Sequence, residues 1–264
     1  MPTLPPPGNP SGDRLTWVGH ATVLLELGGR RLLTDPLLRS RVGPLIRAGE
    51  APDLTVADGL DAVLVSHLHY DHLDARSLRR IDDTTPVIGP HGAGPTLRGL
   101  GFANVTELAV GETADAGGIA VRAVRTDHGG QRRPFGPRAE AIGFVVGRDR
   151  PVYFAGDTGL FGGMADLGPI DVALLPVAGW GPTLGPGHLG PREAAVALTR
   201  LRPRRAVPIH WGTLYPLGLR FRRDRVLAEP ARAFARHAAE LAPSVEVRVL
   251  AAGETLGLTQ GHPQ

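Results

Sequence analysis

Between Ser66 and His72 the chain reads Ser-His-Leu-His-Tyr-Asp-His, which places three imidazoles and one carboxylate within six residues. These groups are donors that zinc, manganese and iron(II) all accept. On an extended chain, residues two apart point the same way, so His67 and His69 can converge on one ion. Asp71 and His72, beyond a turn, then face a second position. A histidine-rich surface turn is the alternative, but this segment directly follows the apolar run DAVLVS (61–66), where every polar group needs a partner. Two ions need more donors than the segment holds. His128 follows VRAVRTD, Asp157 follows VYFAG and His210 follows RRAVPI. Each stands at the end of an expected strand, where loops gather into sites.

The elements that must position these donors are short. LTWVG, TVLLEL and RLLTDP read as strands, with Gly28-Gly29 as a hairpin turn. DAVLVS reads as a strand covered on both faces, followed by a helix in LDARSLRRI, a strand in VIGP and a loop leading into a helix in PHGAGPTLRGLG. The second half has the same texture. GIAVRAVRT, AEAIGFVVG, PVYFAGD, IDVALLPV and RRAVPIH read as strands, and SVEVRVL and ETLGL close the chain. PREAAVALTRL reads as an amphipathic helix opening on proline, and EPARAFARHAAELA as the longest helix. Strands in both halves with helices between and after them predict two sheets packed together with helices outside.

Composition narrows the chemistry further. The 264 residues contain no cysteine, which excludes disulfides and thiolate sites. All 29 basic residues are arginine, against 26 acidic ones. The sequence pI of about 10.1 reflects missing buffering groups and not a strong positive field, so no nucleic-acid partner is expected. No apolar run approaches the roughly 20 residues needed to span a bilayer. The start, MPTLPPPGNPSGDR, has no signal-peptide pattern, so a cytoplasmic location is expected. Residues 1–13 read as a flexible proline-rich arm, 14–258 as one domain and 259–264 as a tail.

The set of donors resembles the metallo-β-lactamase superfamily, whose HxHxDH motif is matched by His67, His69, Asp71 and His72. The resemblance implies an α/β fold, an αββα four-layer sandwich of two mixed β-sheets packed face to face. It also implies His67, His69 and His128 as ligands of one metal, Asp71, His72 and His210 as ligands of a second, and Asp157 bridging them. WVGHATVLLEL, YFAGDTG and GHLGPREAA are similar to the branch containing N-acyl-phosphatidylethanolamine phospholipase D and the ascorbate-6-phosphate lactonases. A cysteine at the second metal, found in some true β-lactamases, has no counterpart here.

The expected cofactor is therefore two divalent ions, zinc first, with manganese or iron also compatible. By formal count, two such ions, Asp71, Asp157 and a bridging hydroxide leave about +1 with neutral imidazoles, which suits an anionic substrate. A hydroxide held between ions about 3.5–4 Å apart would attack a phosphodiester or related ester, including a phospholipid headgroup. A lactone fits the same count, and a non-catalytic metal-binding scaffold is the reading from another class. Asp71 would also steer the nucleophile's proton. His188, in GPTLGPGHLGP, matches a histidine that lies near the substrate in the resembling branch, which implies binding phosphate or protonating the leaving group; a solvated loop histidine is the alternative. His20 reads as a buried hydrogen-bonding histidine beside the site and not as a ligand, while His91, His237 and His262 carry no assignment. Two loops could shape specificity. HGGQRRPFGPR brings Arg132, Arg133 and Arg138 near His128. The 212–225 segment mixes Tyr215, Leu217, Leu219 and Phe221 with arginines, as a lid, a lipid-facing edge or a subunit contact would. Oligomeric state stays open.

Overall fold

The computed structural model describes residues 12–130, 136–179, 184–217 and 223–258. The first half holds β1 (Arg14–Gly19), β2 (Thr22–Leu27), β3 (Arg30–Thr34), β4 (Arg41–Val42), β5 (Leu45–Arg47) and β6 (Ala62–Leu64). Then come α1 (Ala75–Leu78), β7 (Val87–Pro90), α2 (Gly94–Gly99) and β8 (Val105–Leu108). The second half holds β9 (Thr113–Ala116), β10 (Ile119–Arg125), β11 (Ile142–Val146), β12 (Val152–Phe154) and β13 (Val172–Pro176). It ends with α3 (Pro191–Leu201), β14 (Arg205–Ile209), β15 (Leu214–Pro216), α4 (Arg223–Leu241), β16 (Glu246–Val247) and β17 (Thr255–Gly257).

One seven-stranded sheet has the order β17-β1-β2-β3-β6-β7-β8 and the other β16-β14-β13-β12-β11-β10-β9. Both are mixed: four strands of each run parallel (β3, β6, β7, β8; β12, β13, β14, β16) and the rest pair antiparallel. The parallel blocks are the near-continuous apolar runs of the sequence, since a parallel strand is covered on both faces. Leu25, Leu32, Leu64 and Ile88 of the first sheet meet Val121, Phe144, Phe154, Leu174 and Val207 of the second in one buried layer. Each such side chain contributes about 1.5–3 kcal/mol relative to exposure. A second apolar layer lies under α3 and α4, built from Tyr153, Ala173, Leu175, Ala194, Leu198, Phe234 and Ala238. A third lies under α1 and α2, built from Val63, Leu78 and Leu97. Helix, sheet, sheet, helix: the four-layer sandwich expected from the sequence.

The strand readings hold with shortened ends, and Gly28 and Gly29 make the β2–β3 turn at φ +55° and +77°. Several features differ, among them the strands β8 and β9, which the sequence reading did not single out. The helix expected over 73–81 shrinks to the single turn Ala75–Leu78. Asp74 caps the turn by accepting from the Ser77 N–H, which sets its start, and Ser77 Oγ is tied to another segment by accepting from the Leu38 N–H. α4 begins six residues before Glu229 and runs through Pro230, at the cost of one helical hydrogen bond. A small third sheet, β15-β5-β4, gave no alternating pattern because its strands are only two or three residues long. Asp13, placed in the N-terminal arm, is already tied to the sandwich, accepting from the Gly28 and Leu258 N–H groups.

Tyr153 is fully buried on β12, and its hydroxyl has no hydrogen-bond partner. An unsatisfied buried hydroxyl costs about 1–3 kcal/mol. Tyr153→Phe is therefore expected to raise unfolding stability by about 1 kcal/mol in urea titration. A clear loss of stability would show that the hydroxyl has a partner after all.

Candidate metal centre

Every donor sits on the same edge of the sandwich. His20 follows β1, His67 lies three residues after β6, His128 three after β10, Asp157 three after β12 and His210 directly after β14. All these strands run in one direction, so their carboxyl ends meet over the interface between the sheets. His69, Asp71 and His72 occupy the loop between β6 and α1. Two four-membered donor groups result, beside a smaller one of Asp35, His67 and His72. His67, His69, His128 and Asp157 offer ligand atoms within 4.8 Å of one another, and so do His20, Asp71, His72 and His210. The structure thus brings together all seven donors read from the sequence, and adds His20 to the second group.

Hydrogen bonds on the outward side of each ring fix which nitrogen points inward. His128 Nδ1 lies 2.9 Å from the Gly187 carbonyl and His210 Nδ1 lies 2.8 Å from the Ala178 carbonyl. A carbonyl can only accept, so both Nδ1 atoms carry the proton and both Nε2 atoms present lone pairs. Asp35 organises two more. Ser66 donates to it through its N–H (2.7 Å) and its hydroxyl (2.6 Å), and His72 Nδ1 donates at 2.7 Å. Since the Ser66 hydroxyl proton points at Asp35, Ser66 Oγ accepts from His67 Nδ1 at 2.9 Å. One buried carboxylate therefore orients both His67 and His72. Such partners of ligating imidazoles hold their ring orientation and raise their basicity. Gly156 (φ +60°) keeps this chain intact, because a Cβ there would stand 2.8 Å from Ser66 Cβ.

Inward-facing lone pairs leave a site short of positive charge. His67 Nε2 and Asp157 Oδ1 are buried without a hydrogen bond, although His210 Nε2 stands 3.2 Å from Asp157 Oδ1. His72 Nε2 and His210 Nε2 are 3.2 Å apart, as are His128 Nε2 and His69 Nδ1. Two lone pairs at that separation repel unless a cation or a proton lies between them. Asp157 is central: its Oδ2 lies 3.3 Å from His72, 3.9 Å from His128, 4.0 Å from His67 and 3.5 Å from His188, each at Nε2. Nitrogen and carboxylate donors in this arrangement fit divalent zinc, manganese or iron.

Proton affinities say the same. Burial disfavours charge on His72, but Asp157, Asp71 and Asp35 outweigh it and raise His72 well above the usual imidazole range. In the metal-free protein that proton stands in for a cation. Burial also opposes charge on Asp71 and Asp157, yet the surrounding imidazoles hold both well below the usual carboxylate range. Burial pushes His20 down to about 3 and His128 to about 4. In the unfolded chain both would protonate near pH 6.5, so each contributes stability that is present above 6.5 and lost as pH falls toward its folded value. The slope is about 1.4 kcal/mol per pH unit for each. His72, raised, acts only on the alkaline side of 6.5. Metal-free protein is therefore expected to be most stable near pH 6.5, with its melting temperature falling steeply toward pH 4. A flat profile between 6.5 and 4 would contradict these burial effects.

His188 stands at the mouth of the cluster, half-buried, its ring 4.8 Å from that of His128. Its hydrogen bond to Asp157 raises its proton affinity above the usual imidazole value. Arg138 is exposed on the loop after His128. Arg132, Arg133, Leu219 and Phe221 lie outside the described residues. His91 is exposed and His237 sits on α4, neither in either donor group. Sequence reading missed Asp35. Its signal was an aspartate ending the apolar strand RLLTDP, and it adopts φ +34° with its side chain wholly buried.

Two seven-stranded mixed sheets, helices outside and a histidine–aspartate cluster at one edge define the metallo-β-lactamase fold. The beta-lactamase superfamily domain matches residues 30–211, and the chain belongs to that superfamily, among its metal-dependent hydrolases. It is 35% identical over 235 residues to the N-acyl-phosphatidylethanolamine-hydrolyzing phospholipase D 1 of Caenorhabditis elegans. That alignment takes in 79% of this chain but only 66% of the nematode protein, so the chain spans just under two thirds of that relative's length. A UPF0173 metal-dependent hydrolase from Methanopyrus kandleri is 32% identical over 250 residues, covering 92% of this chain and 98% of that one. Among solved structures, Igni18, a metallo hydrolase from Ignicoccus hospitalis, matches with a TM-score of 0.68 at 25% identity, over 92% of this chain and 97% of that chain.

Proposed function

We propose that the chain hydrolyses an anionic phosphodiester or related ester at a two-metal centre. His67, His69 and His128 would hold one ion, Asp71, His72 and His210 the other, and Asp157 would lie between them. The observation that carries this reading is the Asp157 carboxylate, which reaches both donor groups, with Oδ1 3.2 Å from His210 and Oδ2 within 4.0 Å of His67 and His128. Divalent ions bound there would supply an acidified water and a Lewis acid for charge gathering on the substrate oxygens.

The chain's own groups do the rest. Asp35, through His72 and through Ser66 to His67, turns Nε2 of both rings inward before any ion arrives. His188 stands 3.5 Å from Asp157, placed to bind a substrate oxygen or pass a proton to the leaving group. Asp71 is the carboxylate at the second position that can take up a proton from the nucleophile. The nematode relative's named activity on a phospholipid favours a phosphodiester, and a lipid substrate is included in the proposal. No helix among the described residues is long and apolar enough to cross a membrane.

Zinc is the first candidate ion, with manganese and iron also tested. The purified protein, loaded with each in turn, should cleave bis-p-nitrophenyl phosphate and be far slower on a panel of lactones. The reverse ranking would assign a lactonase. Bound metal with no turnover on either panel would favour a non-catalytic scaffold.

A further inference from the structure

His20 is the one member of the two donor groups with no place among the proposed ligands. It is 2% exposed and sits in the turn between β1 and β2 at φ +54°, a conformation that costs a non-glycine residue about 1 kcal/mol or more. Three hydrogen bonds hold it there. The His20 N–H donates to Thr213 Oγ1 at 2.6 Å, and its carbonyl accepts from Trp17 Nε1 at 2.9 Å and from the His210 N–H at 2.9 Å. Trp17 in turn stacks on Trp211, with ring centroids 4.9 Å apart. His210 is itself left-handed, at φ +61°. The two strained histidines are thus locked to each other through their backbones, and each imidazole is delivered to the same spot. Backbone strain over-determined in this way marks a side chain whose direction matters.

We infer that His20 is a positioning residue, whose Nε2–H donates to Asp71 Oδ2 and fixes that carboxylate toward the second ion; the inference rests on Asp71 being a ligand. Two observations separate this role from ligation. His20 Nε2 lies 3.0 Å from Asp71 Oδ2, while the same oxygen faces His210 Nε2 at 3.5 Å and His72 Nε2 at 3.8 Å. An imidazole that binds metal donates its other N–H to an acceptor. His72, His128 and His210 do so to Asp35, Gly187 and Ala178, and His67 does so to Ser66. The His20 ring has no second hydrogen bond among the described residues. It borders instead a cavity of about 10 Å³, shared with Ala178, His210, Trp211 and Leu227, room for one water.

The test uses the full chain loaded with zinc. Nitrogen-detected imidazole NMR on the wild-type protein should find the His20 proton on Nε2 with two ions bound; a metal-shifted Nε2 would make His20 a ligand and overturn the inference. His20→Asn suits the left-handed backbone but cannot reach Asp71, whereas His20→Gln keeps a donor near the Nε2 position. In zinc titration against a chromophoric chelator, His20→Asn should bind the first ion normally and the second about 10–100-fold more weakly. His20→Gln should recover most of that loss. Unchanged second-ion affinity in His20→Asn, or failure of His20→Gln to recover any affinity, overturns the positioning role alone. A wild-type chain that takes up fewer than two ions overturns the dinuclear reading and this inference with it.

Discussion

Replacing Asp157 by alanine is expected to empty the centre and lower turnover by about a hundredfold to a few thousandfold. Removing one partner from a buried charge cluster costs about 3–5 kcal/mol, and each 1.36 kcal/mol is tenfold in rate. Asp157 is 4% exposed and stands within 4.0 Å of five imidazoles. Without it, inward lone pairs such as His72 and His210 Nε2 face each other at 3.2 Å with less negative charge to hold a cation between them. Metal content by mass spectrometry and turnover on a phosphodiester should fall together. Asp171→Ala is the control. That carboxylate pairs with Arg204 at 2.8 Å on the surface, and an exposed ion pair is worth at most about 1 kcal/mol, so metal content should not move. An Asp157→Ala protein with full metal and full turnover would show that the bridging assignment is wrong.

Stripping the metal is expected to have the second largest effect, on stability as well as on activity. Ions that bind only the folded chain stabilise it by about 4 kcal/mol at a thousandfold excess over the dissociation constant. For a chain of this size that shifts the melting temperature by about 10 °C. The structure makes the direction clear, because the metal-free cluster must either tolerate facing lone pairs or hold a proton on His72. Dialysis against a chelator should lower the melting temperature and abolish hydrolysis, and adding back zinc, manganese or iron(II) should restore both. Loss should deepen as pH falls, since protons compete for the imidazole nitrogens. Unchanged melting and turnover after complete metal removal would remove the basis for a catalytic ion.

Much of the centre was legible because its donors sit in contrast with their surroundings. His67, His69, Asp71 and His72 break an apolar strand, and Asp157 and His210 end strands of continuous small and branched residues. Burying such groups demands partners, and that demand is visible in a sequence. Asp35 was harder to see. A single aspartate before a proline looks like an ordinary turn residue, and only the fold reveals that it joins Ser66, His67 and His72. His20 was read as lying beside the site, but its left-handed backbone and its coupling to His210 arise from contacts 190 residues apart in sequence. Among the elements, β6, β13 and β14 were clear because parallel strands buried on both faces need unbroken apolar runs. β8 and β9 were not, since VTEL and TADA are partly exposed and mix polar with apolar residues. The one-turn α1 followed from side-chain bonds to Leu38 that no local pattern encodes.

The central claim is that seven side chains drawn from four loops hold a pair of ions. Diffraction from crystals of the metal-loaded protein, collected at the metal's absorption edge, addresses it most directly. The account predicts two anomalous peaks, one about 2.0–2.2 Å from nitrogens of His67, His69 and His128, the other at that distance from donors of Asp71, His72 and His210. Asp157 should lie against both. A single peak, or peaks coordinated by other residues, would contradict it.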